Sequence, residues 1–137
     1  MSYRWVDHTA EVELETEAAS EPAVLEEAVR ALAELLGVDQ ADGPAASVRT
    51  LRRTVTAQAP DRPALLAAWI DELWFLAESE GFVALRVEDL ELGSDGLRAT
   101  VAGVVDDPPP LVKAVTYHRL AFGPSEAGYV ARVVLDV

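Results

Sequence analysis

The chain has no cysteine, only two histidines and a single lysine among its 137 residues. Without thiols it forms no disulfide and offers no soft metal ligand, and with so few imidazoles a structural zinc or iron–sulfur site has little to be built from. Any metal it holds is expected to be a hard cation bound through oxygen. No serine sits in a recognisable nucleophile elbow, and no glycine-rich run falls between a strand and a helix. A serine or cysteine hydrolase and a phosphate-loop enzyme are therefore both unsupported. Apolar runs are too short and too interrupted by charge to cross a bilayer. Met1 to His8 lack the apolar stretch and cleavage site of a secretory signal, so the expected compartment is the cytoplasm, which the absence of cysteine suits.

Positive charge is also scarce, with 11 Lys and Arg against 24 Asp and Glu and a net charge of -13. A chain that binds phosphates needs a cationic surface that releases counterions, so direct nucleic-acid binding is not expected, nor is attachment to a membrane. A basic protein surface or a cation is the natural counterpart of such a chain. Most of the carboxylates need no role beyond solubility.

What is present is a large apolar fraction, half of all residues. That is enough for one domain over residues 1–137, burying roughly two thirds of the surface its unfolded chain exposes. From Glu11 to Glu17 the sequence alternates Glu-Val-Glu-Leu-Glu-Thr-Glu. Period two predicts a strand with Val12, Leu14 and Thr16 facing in and the glutamates facing out. A solvated face explains Glu13, Glu15 and Glu17. Glu11 differs, because it stands at the mouth of the strand behind a predicted loop, Asp7-His8-Thr9-Ala10, where other groups can come close.

Ser20 is a good N-cap, and Val24, Leu25, Ala28, Leu32, Leu35 and Leu36 follow at helical spacing until Gly37. Residues Val38 to Ser47 are turn-rich, and a strand is expected from Val48 to Ala59, with Arg49, Arg52 and Arg53 as solvated edge charges. Asp61 caps a second helix, whose Leu66, Trp69, Ile70, Leu73, Trp74 and Ala77 form an apolar stripe ending at Gly81. Two tryptophans on such a stripe are expected to be core anchors. Phe82 to Leu92 and Gly96 to Val105 read as a hairpin. Asp106 to Pro110 contains three consecutive prolines and must be a stiff connection. A strand from Leu111 to Phe122, a loop from Gly123 to Gly128 and a last strand from Tyr129 to Val137 complete the chain. This order predicts an α+β fold, a two-layer sandwich with two helices on one face of a mostly antiparallel sheet.

The scarce residues are not scattered. The one lysine, Lys113, and one of the two histidines, His118, share the stretch Leu111 to Leu120, while His8 lies in Asp7-His8-Thr9-Ala10-Glu11. Lysine carries a compact, strongly hydrated ammonium that arginine does not replace, so its single use suggests a need for that group there. In a regular strand Lys113, Val115 and Tyr117 point to one face and Ala114, Thr116 and His118 to the other. Asp136 interrupts the final apolar run, and the terminal carboxylate of Val137 adds negative charge beside it.

Three pieces together, Asp7-His8-Thr9-Ala10-Glu11, Lys113-Ala114-Val115-Thr116-Tyr117-His118 and Leu135-Asp136-Val137, resemble the archease family, accessory proteins of the GTP-dependent tRNA-splicing RNA ligase. The resemblance spans essentially the whole chain, and its hexamer is the most specific part. It implies an archease-like fold and a role in helping the ligase load guanylate, so that it turns over more than once in RNA ligation. By the same resemblance Glu11, Asp136 and Val137 would bind a divalent cation, calcium or alternatively magnesium, and Lys113 would act in activation, with Asp7, His8, Tyr117 and His118 as lesser candidates. The family usually has Asp where Glu11 stands, and a longer polar connection before the lysine.

Two other readings compete with a non-catalytic ligase activator. One is a small metal-dependent hydrolase in which Lys113, Asp7 and Glu11 perform acid–base work around the cation. The other is a purely structural interaction module that holds no ion.

Overall fold

The computed structural model describes residues 2–8, 11–38, 50–106, 112 and 114–137, with Asp7 and His8 described by their backbone alone. Lys113, Arg49, the expected loop over 39–47, the Thr9–Ala10 segment and the proline-rich connection at 107–110 lie outside the described residues.

Nine elements follow in the order β1 (Ser2–His8), β2 (Glu11–Ala18), α1 (Glu21–Leu35), β3 (Leu51–Gln58), α2 (Arg62–Glu80), β4 (Phe82–Leu92), β5 (Gly96–Val105), β6 (Ala114–Ser125) and β7 (Gly128–Asp136). The α+β class, the two helices and the antiparallel pairing agree with the sequence reading. The strands are divided between two sheets, a four-stranded one ordered β1-β2-β7-β6 and a three-stranded one ordered β3-β5-β4. Each helix packs against both sheets. No helix among the described residues is long and apolar enough to cross a membrane.

The helices begin where the caps predicted. The Ser20 side chain accepts from the Ala23 amide at 3.2 Å and that of Asp61 from the Ala64 amide at 2.9 Å. Each cap satisfies one amide that has no partner within its helix, an effect of about 1 kcal/mol. Helix α2 ends on Gly81, whose φ of 68° is the left-handed conformation that glycine adopts without strain. Along α2, Leu65, Leu66, Trp69, Ile70, Leu73, Trp74 and Ala77 are buried. Trp69 is 0 % exposed, and its indole Nε1 donates to the Leu25 carbonyl of α1 at 3.0 Å, which ties the two helices together. Both tryptophans are core anchors, as expected.

The predicted hairpin forms as β4 and β5, with Leu92 opposite Leu97. Of the arginine cluster on β3, Arg52 pairs with Glu88 and Arg53 with Glu80, and the Arg53 guanidinium lies 5.1 Å from the centre of the Phe82 ring. These contacts fit charges at the border of a sheet.

Three features depart from the sequence reading. Residues Ser2–His8 form a strand, so the backbone of Asp7 and His8 belongs to β1 and is not loop. The expected loop over 123–128 shrinks to a two-residue turn at Glu126 and Ala127, because β6 continues through Gly123 and Pro124 to Ser125. Proline is tolerated there because β6 stands at the edge of its sheet, where a missing amide breaks no ladder. Finally, β6 is not regular, which matters for the site.

Candidate functional site

The ladder of the four-stranded sheet brings the two ends of the chain together. Glu11 of β2 is the register partner of His8 on one side and of Asp136 on the other, and Asp136 is in turn the partner of Ala114. One rank across four strands therefore runs His8, Glu11, Asp136, Ala114, and Lys113 is the residue that precedes Ala114 in the chain. Residues directly opposite in an antiparallel pair share a face, with Cβ atoms about 5 Å apart. Glu11 and Asp136 thus lie side by side, both partly buried. Among the described residues neither takes part in an ion pair, and no third His, Cys, Asp or Glu completes a cluster with them.

Like charges at adjacent register positions repel each other. A hard cation between them reverses the sign of that interaction. The donor set, oxygen only and at the end of a sheet, fits calcium or magnesium and does not fit zinc or copper.

Along the same face the next two ranks are Val6, Glu13, Val134, Thr116 and then Arg4, Glu15, Arg132, Ala121. Glu13 was expected to be solvated like its neighbours, yet it is only 2 % exposed. The reason lies in β6. The ladder pairs Thr116 with Val134 and resumes with Ala121 opposite Arg132, so four residues, Tyr117 to Leu120, stand against Val133 alone. A bulge of that size carries the chain out of the ladder. The Thr116 hydroxyl Oγ1 accepts from the His118 amide at 3.3 Å and closes the first step of the excursion. Arg119, near its end, has φ 59°, in the left-handed region, which costs a non-glycine residue about 1 kcal/mol.

The Arg119 guanidinium then reaches Glu13, with Nη1 3.2 Å from Oε1, and Arg132 approaches the other oxygen at 3.8 Å. Neither contact is an aligned hydrogen bond, since Glu13 Oε1 and Arg132 Nε have no hydrogen-bond partner. The buried carboxylate is held by charge. The excursion also cancels the expected alternation beyond Thr116: Tyr117 is 70 % exposed and His118 is exposed as well.

Glu13 and Arg119 were missed by sequence reasoning, which saw a solvated glutamate and an ordinary strand residue. Nothing in the local pattern marks either one. The missed strand β1 did leave a trace in the alternation of Tyr3 and Trp5 with Ser2 and Arg4.

Two exposed ion pairs give the molecule an acid-side dependence. A hydrogen bond from Arg4 holds the Glu15 carboxyl below its ordinary range, and one from Arg52 does the same for Glu88. A folded-state pKa below the unfolded one means stability that is complete above the ordinary carboxylate range, near pH 4.3, and lost as pH falls through the lower folded values. Urea midpoints measured from pH 6 down to pH 2.5 should fall for the wild type. The Glu15→Gln, Glu88→Gln double variant should fall less steeply; identical slopes would remove these pairs as contributors.

An open groove of about 800 Å³ lies between α2 and the β4–β5 hairpin, lined by Ala68, Glu72, Glu91, Asp95 and Arg98 among others. It belongs to the other sheet and shares no residue with the Glu11–Asp136 rank. Volume alone does not make it the site.

Comparison with known proteins bears on this end of the sheet. The chain is 30 % identical to the protein archease of Archaeoglobus fulgidus over 100 % of both chains, and 28 % identical to that of Methanosarcina barkeri over 98 % of this chain and 95 % of the other. The fold is shared with a crystal structure of an archease, possible chaperone, from Thermotoga maritima, with TM-score 0.66 at 22 % identity over 96 % of this chain and 94 % of that one. It is also shared with the solution structure of Methanobacterium thermoautotrophicum protein 1598, with TM-score 0.58 at 24 % identity over 98 % of both chains. Residues 3–137 match the Archease protein family (MTH1598/TM1083), a match that takes in both ends of the sheet and everything between them. The chain belongs to the archease family.

Proposed function

We propose that this protein is a non-catalytic activator of the GTP-dependent tRNA-splicing RNA ligase, which promotes guanylylation of the ligase and so its multiple turnover in RNA ligation. The observation that carries the reading is the rank of Glu11, Asp136 and Ala114 across three strands, which sets the motif of the hexamer beside two adjacent carboxylates. In this reading Glu11, Asp136 and the terminal carboxylate of Val137 hold one divalent cation, calcium ahead of magnesium. When bound, that cation supplies a concentrated positive charge. The protein's own part is to present the carboxylates on a rigid sheet, and Lys113 contributes its ammonium close by in the chain. The ligase is the protein partner. The excess of negative charge favours a basic surface on it and disfavours direct contact with RNA or a membrane, and the setting is the cytoplasm.

The direct test is RNA ligation by purified ligase in excess RNA, with and without this protein. Many turnovers with it and about one without are expected, and equal yields in the two reactions would dismiss the reading. Ligation or nucleotide hydrolysis by the protein alone would instead favour a metal-dependent enzyme.

The part of Val137 has its own check. A short carboxy-terminal extension converts its carboxylate into an amide and is expected to weaken calcium binding in isothermal titration about tenfold or more, whereas an amino-terminal extension is tolerated. Equal affinities in the two versions would remove Val137 from the site.

A further inference from the structure

Among the described residues, Glu13 is the buried charged side chain that pairs with a residue on the strained excursion of β6, two strands away across β7, while its second partner, Arg132, belongs to β7 itself. It lies on the same face of β2 as Glu11, one rank further along, and between strands that would leave an ordinary glutamate in water. Arg119 covers it at 3.2 Å from a left-handed backbone. The excursion that contains Arg119 holds Tyr117 and His118 at the surface, just beyond the Thr116–Val134 rank that follows the Asp136–Ala114 pair. A 70 % exposed tyrosine displayed next to the candidate site is the residue type that protein interfaces use as an anchor, because it offers a large rigid ring with a polar tip.

We propose that Glu13 is a positioning residue: through its ion pair with Arg119 it pins the Tyr117–Leu120 excursion against the outer face of the sheet, so that Tyr117 and His118 stand as a contact pair for the protein partner beside Glu11 and Asp136. This rests on the activator reading for the identity of the partner, and on geometry alone for the clamp. The physical logic has three parts. The ladder is interrupted for four residues, so backbone hydrogen bonding to β7 does not define their path. The Thr116 hydroxyl fixes how the excursion starts. Among the described residues, the Arg119–Glu13 pair, with Arg132 supporting the same carboxylate, fixes how it returns. A charge buried beneath the excursion makes its lifted state unfavourable, since lifting leaves Glu13 short of a counter-charge in a poorly solvated place.

The test uses Arg119→Gly, which relieves the backbone strain and deletes the guanidinium, together with Glu13→Gln and the conservative Arg119→Lys. Amide hydrogen exchange over 117–120 reads the clamp. Glu13→Gln and Arg119→Gly should exchange there about tenfold faster than wild type, equivalent to about 1.4 kcal/mol of opening, while Arg119→Lys restores most of the protection. In ligase assays the two disruptive variants should raise the concentration needed for half-maximal stimulation about tenfold with the maximal rate retained, as expected when a contact surface is disordered but the chemistry is untouched. Tyr117→Ala should raise it as well without any change in exchange. Unchanged exchange in Glu13→Gln and Arg119→Gly would overturn the clamp. Faster exchange with unchanged half-maximal concentration would overturn the contact role. A wild-type protein that fails to stimulate any ligase would sink the activator reading and the contact role with it, and the exchange rates would still judge the clamp.

Discussion

Asp136→Ala is expected to abolish multiple turnover of the ligase while leaving the fold in place. Asp136 stands at the last position of β7, partly buried, with Glu11 as its only acidic register partner. Removing one of two adjacent carboxylates does two separable things. In metal-free buffer it relieves their mutual repulsion, so the variant should be as stable as the wild type or slightly more stable. In calcium the order reverses. A cation that binds only the folded state stabilises it by about 2.7 kcal/mol at one hundred times its dissociation constant, and the variant forfeits that gain. Changes in outer-shell groups alone weaken metal sites about 10- to 100-fold, so loss of a direct donor should exceed that range. Thermal melts with calcium and with chelator, paired with ligation assays, check all of it. If calcium raises the melting temperature of the variant as much as that of the wild type, Asp136 is no ligand. Lys113→Ala is expected to separate the same two readouts differently, losing activation while keeping the response to calcium.

The second large effect falls on stability. Trp69→Ala empties the centre of the core, where the indole is fully buried and bridges α2 to the Leu25 carbonyl of α1. Large-to-small changes of this kind cost about 3–5 kcal/mol, and the lost indole hydrogen bond adds about 1 kcal/mol, since the Leu25 carbonyl lies within α1 and keeps its helical partner. Domains of this size have about 5–15 kcal/mol in all, so the variant should be close to unfolding at 37 °C. Phe75, six residues further along the same helix, is the control. It is 60 % exposed, and Phe75→Ala should stay within about 0.5 kcal/mol of wild type in urea denaturation. A Trp69→Ala protein within about 1 kcal/mol of wild type would mean that the core repacks around the loss.

These two expectations differ in how early they could be made. Trp69 was readable as a core anchor from its place on a three-four stripe between an aspartate cap and a glycine stop, all of which are local features of the chain. The same holds for both helices and for the β4–β5 hairpin. The acidic pair was legible only as two positions, Glu11 at the mouth of one strand and Asp136 at the end of another. Their identification as one site came from resemblance, and their adjacency waited for the ladder between β2 and β7.

Glu13 shows the limit of local reading most clearly. Period two assigned it to the solvent side, and the face was assigned correctly, since Glu11, Glu13 and Glu15 do share one side of β2. What the period could not contain is that a strand more than a hundred residues later leaves its ladder and sends an arginine across to that side. The regular alternation projected for Tyr117 and His118 failed for the same reason.

The sequence by itself therefore determined both helices with their caps, the β4–β5 hairpin and the apolar faces, though not strand β1 or the β6–β7 turn, because each of the former depends on residues within a few positions of one another. Tertiary structure alone decided that β2 pairs with the last strand, that four residues of β6 bulge, and that one glutamate in an exposed-looking row is buried. Those outcomes are set by pairing between distant segments, where loop closure, packing and charge compensation are settled jointly and no short window of residues carries the answer.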